Sequence, residues 1–251
     1  MTIGEHLEEL RRRLIRSLIG LAVAFGLCWI LRSQILDVLL EPHRIAVRRV
    51  LGEESDPRLA IFTYLEAIWV YMKVCGVGAL LLGGPFLIGQ VWGFIAAGLY
   101  SHERRAVIRF LPFCALLFLG GVAFGYFLLV PKGLEMLARF HDPGIMRIEF
   151  RLDPYLSLVF ILTFSLGLIF QLPLGMLILA RIGVFSARDY RRQWRWFAVI
   201  SVVAAAVLTP GPDFVSQLLL WIPMLLLYVL GIFLAAAGFR ARRVESPSEA
   251  S

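Results

Sequence analysis

The length and spacing of the apolar blocks constrain this chain more than any other feature of its sequence. Six stretches, at about residues 17–31, 68–95, 106–130, 154–180, 196–208 and 214–237, are nearly uncharged and are separated by charged segments. A run of roughly 20 apolar residues crosses the hydrocarbon of a bilayer as a helix, which satisfies every backbone N–H and C=O within the segment. The fifth stretch is short for a full crossing. Composition agrees: 59% of the residues are apolar, 17% are charged, and the mean hydropathy is +0.79. A soluble chain is nearer half apolar and a quarter charged. The expected fold is therefore an all-α integral membrane protein of about six transmembrane helices. One polytopic domain is expected over residues 1–240, with a short charged tail at 241–251. Six spans of roughly 20 residues leave about 120 for loops, too few for a separate soluble domain.

Ahead of the first block, the segment EHLEELRRRLIR (5–16) has helical periodicity, with Leu7, Leu10 and Leu14 on one face. Thr2 stands three residues before Glu5, as in a capping box. This predicts an N-terminal interfacial helix running into the first span. The N-terminus lacks a small-residue cleavage pattern, so that span is expected to be retained. Residues 32–66, with Pro42 and Pro57, read as a long polar loop, and 131–153 as a second. Gly83, Gly84 and Pro85 predict a break or kink in the second span. The fourth span carries Gln171 and Pro173, and a TPGPD turn (209–213) precedes the sixth.

Charge placement sets the orientation. The N-terminal segment, the two short turns and the tail hold 15 of the 25 Lys and Arg residues and 7 acids; the opposite side holds 9 and 11, and Lys73 lies in the second span. The positive-inside rule makes the first side cytoplasmic, with both termini inside. The formal charge of +7 is thus a topology signal at the membrane surface; no basic, aromatic-interleaved stripe points to nucleic acid. Cys28, Cys75 and Cys114 all fall in apolar stretches, and the four histidines lack zinc-like spacing, so neither a disulfide framework nor a metal site is expected. No catalytic motif appears, and no cofactor is implied.

Taken residue by residue, the polar candidates admit ordinary readings. Glu8 and Glu9 beside Arg11, Arg12 and Arg13 suit helix-surface ion pairs, and Glu103 in SHERR (101–105) suits a solvated turn. Two carboxylates on one membrane face could also engage a pair of guanidinium groups, whose planar fork fits a carboxylate better than a lysine ammonium does. Gln171 could bond a neighbouring helix, and Asp213 suits a helix N-terminus. A secondary transporter of a small solute would need ionisable residues at the membrane midplane, and the spans offer little beyond Gln171 and Lys73. A scaffold without cargo recognition is the other alternative.

Four strings, in order along the chain, resemble the TatC family: HLEELRRRL (6–14), QVWGFIAAGLYSHERR (90–105), YLSLVFILTFSLGLIFQLP (155–173) and TPGPDFVSQLLLWIPMLLLYVLGIF (209–233). That family is the multispanning receptor and core subunit of the twin-arginine, or Sec-independent, protein translocase. The resemblance implies recognition of paired-arginine signal peptides on folded cargo at the cytoplasmic face of a prokaryotic inner membrane. It also implies single-span partner subunits of the TatA and TatB type, homo- and hetero-oligomers within the membrane lipids, and export driven by the proton-motive force. Carried over residue by residue, it assigns Glu9, Arg11, Arg13, Phe94 and Glu103 to a signal-peptide-binding patch. Pro42 and Asp213 take structural or partner-coupling positions. Gln171 stands where the family usually has glutamate, which leaves an intramembrane polar or partner contact without an ionisable group.

Overall fold

The computed structural model describes residues 3–52, 59–99, 101–139, 150–208 and 214–245, the side chains at 3, 51, 101–103, 106, 137–139, 215–216 and 238–245 excepted. Thr2, Pro57, the TPGPD turn and Asp213 lie outside the described residues. The architecture is helical: α1 (Ile3–Ile30), α2 (Arg32–Leu51), α3 (Tyr64–Ala97), α4 (Ser101–Phe124), a π-helical turn (Gly125–Leu129), α5 (Val130–Arg139), α6 (Leu152–Ile169), α7 (Leu172–Arg181), α8 (Ala187–Leu208) and α9 (Phe214–Glu245). Among the described residues, five stretches are long and apolar enough to cross a membrane: Gly4–Ile30, Tyr64–Ala97, Val107–Met136, Leu152–Arg181 and Gln217–Ala237. The 22 residues of α8 include five charged ones in its first nine, which keeps it out of that group.

Three readings of the sequence are corrected. Residues 32–51 form α2 rather than loop, and the third span continues through the π-helical turn into α5 as far as Arg139. In the second span, Gly83, Gly84 and Pro85 lie within one helix of 34 residues, so they do not break it. Helix α3 starts at a reciprocal cap: Thr63 Oγ1 accepts the Glu66 N–H at 3.3 Å, and Glu66 Oε2 accepts the Phe62 N–H at 2.9 Å. Ser186 and Asp189 cap α8 in the same way, and these bonds from the Ser186 hydroxyl and amide hold the Asp189 carboxyl below the usual carboxylate range.

Small residues bring the helices together, as expected where lipid supplies no hydrophobic drive between apolar faces. Gly121 and Gly125 of the α4 span face α6: a Cβ at position 121 would lie 2.6 Å from the Leu166 carbonyl oxygen, and one at 125 would lie 3.0 Å from Thr163 Cα. The fully buried ring of Phe118 fills the space left by Gly84 of α3. That spacing of Gly121 and Gly125 is the GxxxG pattern of close helix pairs, a signal present in the sequence and not weighed there. The main core joins Val70 and Val74 of α3 to Val159, Leu162 and Leu166 of α6, with Leu220 and Met224 of α9 beside them.

Pro42 lies inside α2, where two tyrosines meet the helix. Proline has no N–H, so the Val38 carbonyl loses its intrahelical donor, and the Tyr126 hydroxyl donates to it instead. Tyr155 Oη donates to the neighbouring Leu39 carbonyl at 2.5 Å, and the His43 backbone N–H faces the same hydroxyl. The Val38 and Leu39 carbonyls of α2 are thus held from the π-helical turn and from α6. Arg49 of α2 completes the attachment by pairing with Glu135 of α5 at 2.5 Å. The segment after α2 is held to the start of α6 by two backbone bonds, Ala60 N–H to the Phe150 carbonyl at 2.8 Å and Leu152 N–H to the Ala60 carbonyl at 3.3 Å.

Candidate functional site

Helix α1 is amphipathic with its polarity turned inside out. Leu7, Leu10 and Leu14, the face picked out by periodicity, are exposed, while His6, Glu9, Arg13, Ser17, Gly20, Ala24 and Cys28 turn toward α3. This stripe repeats every three or four residues, which keeps it on one side of a 3.6-residue helix. Its lower part is small, so α1 lies close along α3; its first three turns carry the polar residues into the same seam.

In that seam, Arg13 Nε donates to Glu9 Oε1 at 2.7 Å, with the two side chains only 18% and 20% exposed. Arg13 Nη1 also lies 3.5 Å from the Gln90 carbonyl oxygen on α3. One turn further along α3, the His6 and Phe94 rings stack with centroids 4.4 Å apart. Gln90, Gly93, Phe94 and Ala97 share one face of α3 at helical spacing, and α3 ends at Ala97 just before α4 begins at Ser101. Glu103 therefore stands in the first turn of α4; its side chain lies outside the described residues.

The structure brings Glu9, Arg13 and Phe94 into one cluster and leaves Arg11 apart. Arg11 points away from α3, largely exposed, 3.9 Å from Glu8. Three members of the cluster were not picked out from sequence: His6, which stacks on Phe94; Gln90, which lends its carbonyl; and Gly93, whose missing side chain makes room for the Arg13 guanidinium. The spacing of His6, Glu9 and Arg13 was the available signal. Chemically, the cluster is a carboxylate, a carbonyl and an aromatic face in a partly dehydrated seam, a set of acceptors suited to cationic, planar donors.

Gln171 sits elsewhere, at the break between α6 and α7. Pro173 removes the N–H that would reach Ile169, so the span is interrupted there. The Gln171 amide Nε2 donates to the Cys114 carbonyl of α4 at 3.0 Å. Replacing the amide with a carboxylate removes that donor and sets two acceptors against each other. Gln171→Glu is expected to cost about 1–3 kcal/mol at neutral pH, read from unfolding in detergent; unchanged stability would show that the amide bond contributes nothing. Lys73 of the second span is neutralised by Asp153 at the start of α6 and donates to Ser157 Oγ at 2.9 Å.

The profile of the family described as TatC, Sec-independent protein translocase protein, matches residues 5–223. A Sec-independent protein translocase protein TatC of Koribacter versatilis is 35% identical over 249 residues, covering 98% of this chain and 90% of that protein. The chloroplastic TATC protein of Arabidopsis thaliana is 36% identical over 234 residues, covering 93% of this chain and 66% of its own length. A crystal structure of the twin arginine translocase receptor TatC superimposes with a TM-score of 0.78 at 30% identity, over 93% of this chain and 99% of that one.

Proposed function

This chain belongs to the TatC family and is a multi-pass membrane core subunit of the Sec-independent protein translocase rather than an enzyme; from that premise we propose that the seam between α1 and α3 receives the paired arginines of export signal peptides. The observation that carries the reading is the Glu9 carboxylate, only 20% exposed and paired with a guanidinium, in a seam where the His6 and Phe94 rings also stack. Glu9 and Glu103 each hold one cargo arginine, Phe94 packs against the peptide, and Arg11 and Arg13 border the patch. Because that end carries the basic turns, it is the cytoplasmic face, and the N- and C-termini both lie there. The protein resides in a prokaryotic inner membrane, works with TatA- and TatB-type single-span subunits, and supports export of folded cargo with energy from the proton-motive force. Pro42 and Asp213, on the opposite side, serve structure or partner coupling, and Gln171 offers a donor and an acceptor to a partner helix within the membrane.

Binding of a synthetic twin-arginine signal peptide to the purified protein in nanodiscs tests this. A twin-lysine peptide keeps the charge and lacks the fork, so it is expected to bind at least about tenfold more weakly, from a charge-assisted bond of roughly 1.5–3 kcal/mol. The Glu9→Ala, Glu103→Ala double variant is expected to lose most twin-arginine binding. Equal affinity for the two peptides would sink the receptor reading.

A further inference from the structure

The carboxylate offered to cargo is already engaged by this chain itself. Arg13 Nε holds Glu9 Oε1 at 2.7 Å, and Nη1 reaches toward the Gln90 carbonyl at 3.5 Å. Its guanidinium also fills the place where a side chain at position 93 would begin: a Cβ on Gly93 would overlap Nη1 and crowd Nη2 at 3.1 Å. Exposed i, i+4 pairs on helices are common, but their charged ends stay in water. This one is four-fifths buried and is inserted into a neighbouring helix. The seam is a seat built for one guanidinium.

We propose that Arg13 is an internal occupant of the cargo-arginine seat, so that signal-peptide binding exchanges one guanidinium for another at Glu9, with Gly93 setting how firmly the resident one is held. The proposal rests on the receptor reading of this end. Glu9 has one strong donor on it, and a carboxylate cannot give its best geometry to two forks in so confined a space. Gln90 supplies somewhere for the displaced group to go: its side-chain Oε1 is buried without a partner among the described residues, on the residue whose carbonyl Arg13 already approaches. Arg11, exposed and 3.9 Å from Glu8, is no such occupant.

An internal occupant reduces apparent affinity in proportion to the fraction of molecules whose seat is free. A seat filled about nine-tenths of the time weakens cargo binding about tenfold. Two variants release the carboxylate by different routes. Arg13→Gln removes the guanidinium, and Gly93→Ala pushes it out while leaving the net charge unchanged, so the second separates occupancy from general repulsion of a cationic peptide.

The test measures Kd of a twin-arginine signal peptide for the full chain in nanodiscs, as wild type and as each variant. Both variants are expected to bind about tenfold more tightly, and the double variant no more tightly than the better single one. If Glu9→Ala abolishes binding but neither releasing variant tightens it, the exchange is overturned and the receptor reading stands. If no variant and not the wild type binds selectively, both fall. A measurement on the unmodified chain guards against a variant that does not fold. With 15N at the arginine Nε positions, the Arg13 resonance is expected to move on saturation with peptide; a resonance that stays in place at saturation would overturn the exchange.

Discussion

Gly121→Val is expected to destabilise the folded protein by about 3 kcal/mol or more, while Gly120→Val, one residue away, changes little. The first overpacks a contact between backbones: a Cβ at 121 would lie 2.6 Å from the Leu166 carbonyl oxygen and 2.9 Å from Gly167 Cα, so α4 and α6 must separate. Overpacking a core typically costs 1–3 kcal/mol, and here no flexible side chain can yield. Separation also uncovers Phe118, which is fully buried beside this contact. Gly120 has nothing within 4 Å of the same atom and faces outward, where a valine meets only lipid. On the scale of soluble proteins of this size, 3 kcal/mol lowers the melting temperature by about 6–12 °C. Thermal unfolding of the two variants in one detergent checks this, and similar melting would show that α4 and α6 are not held by close backbone approach.

The second large effect is expected around Pro42 in α2. Tyr155→Phe leaves the Leu39 carbonyl, on a residue only 6% exposed, without its hydroxyl donor, at a cost of about 2 kcal/mol. Tyr126→Phe costs less, about 1 kcal/mol, because the Val38 carbonyl it serves is on an exposed residue and water can replace it. The decisive comparison is made in a Pro42→Ala background. Alanine at 42 restores the N–H that a regular helix directs to Val38, so Tyr126→Phe should then cost almost nothing. An equal cost in both backgrounds would mean that the tyrosine is not replacing the missing proline donor.

How much of this was legible beforehand follows from which medium each residue faces. Apolar runs long enough to cross a bilayer mark themselves, because lipid accepts nothing else, and five such stretches stand among the described residues. Helix α2 was read as loop because Arg32, Asp37, Glu41, Arg44, Arg48 and Arg49 give it a loop's polarity. Its buried set, Leu39, Pro42, His43, Ala46 and Val47, nonetheless repeats at helical spacing, and the proline masked it. At the candidate site, Glu9 and Phe94 came from a family resemblance, whereas periodicity drew attention to the leucines that turn outward. In a membrane the apolar face looks to lipid, so the side a helix keeps for its neighbours is the polar or small one. Gly93 was invisible for another reason: a glycine that makes room for a side chain 80 residues earlier leaves no local pattern.

The interruption at Phe170 and Gln171 has a mechanical meaning. Helix α6 packs on α3 and α4, and α7 packs mainly on α9, while Leu174, Leu177 and Ile178 of α7 join Cys114 and Phe118 of α4 in one buried cluster. One crossing of the membrane therefore changes its principal neighbour partway along, at two turn residues and the Pro173 ring. The Gln171 amide spans that change of neighbour by donating to the Cys114 carbonyl of α4, a single bond worth on the order of 1 kcal/mol. A load applied to α9 is thus passed through α7 to α4 by buried packing as well as by that bond.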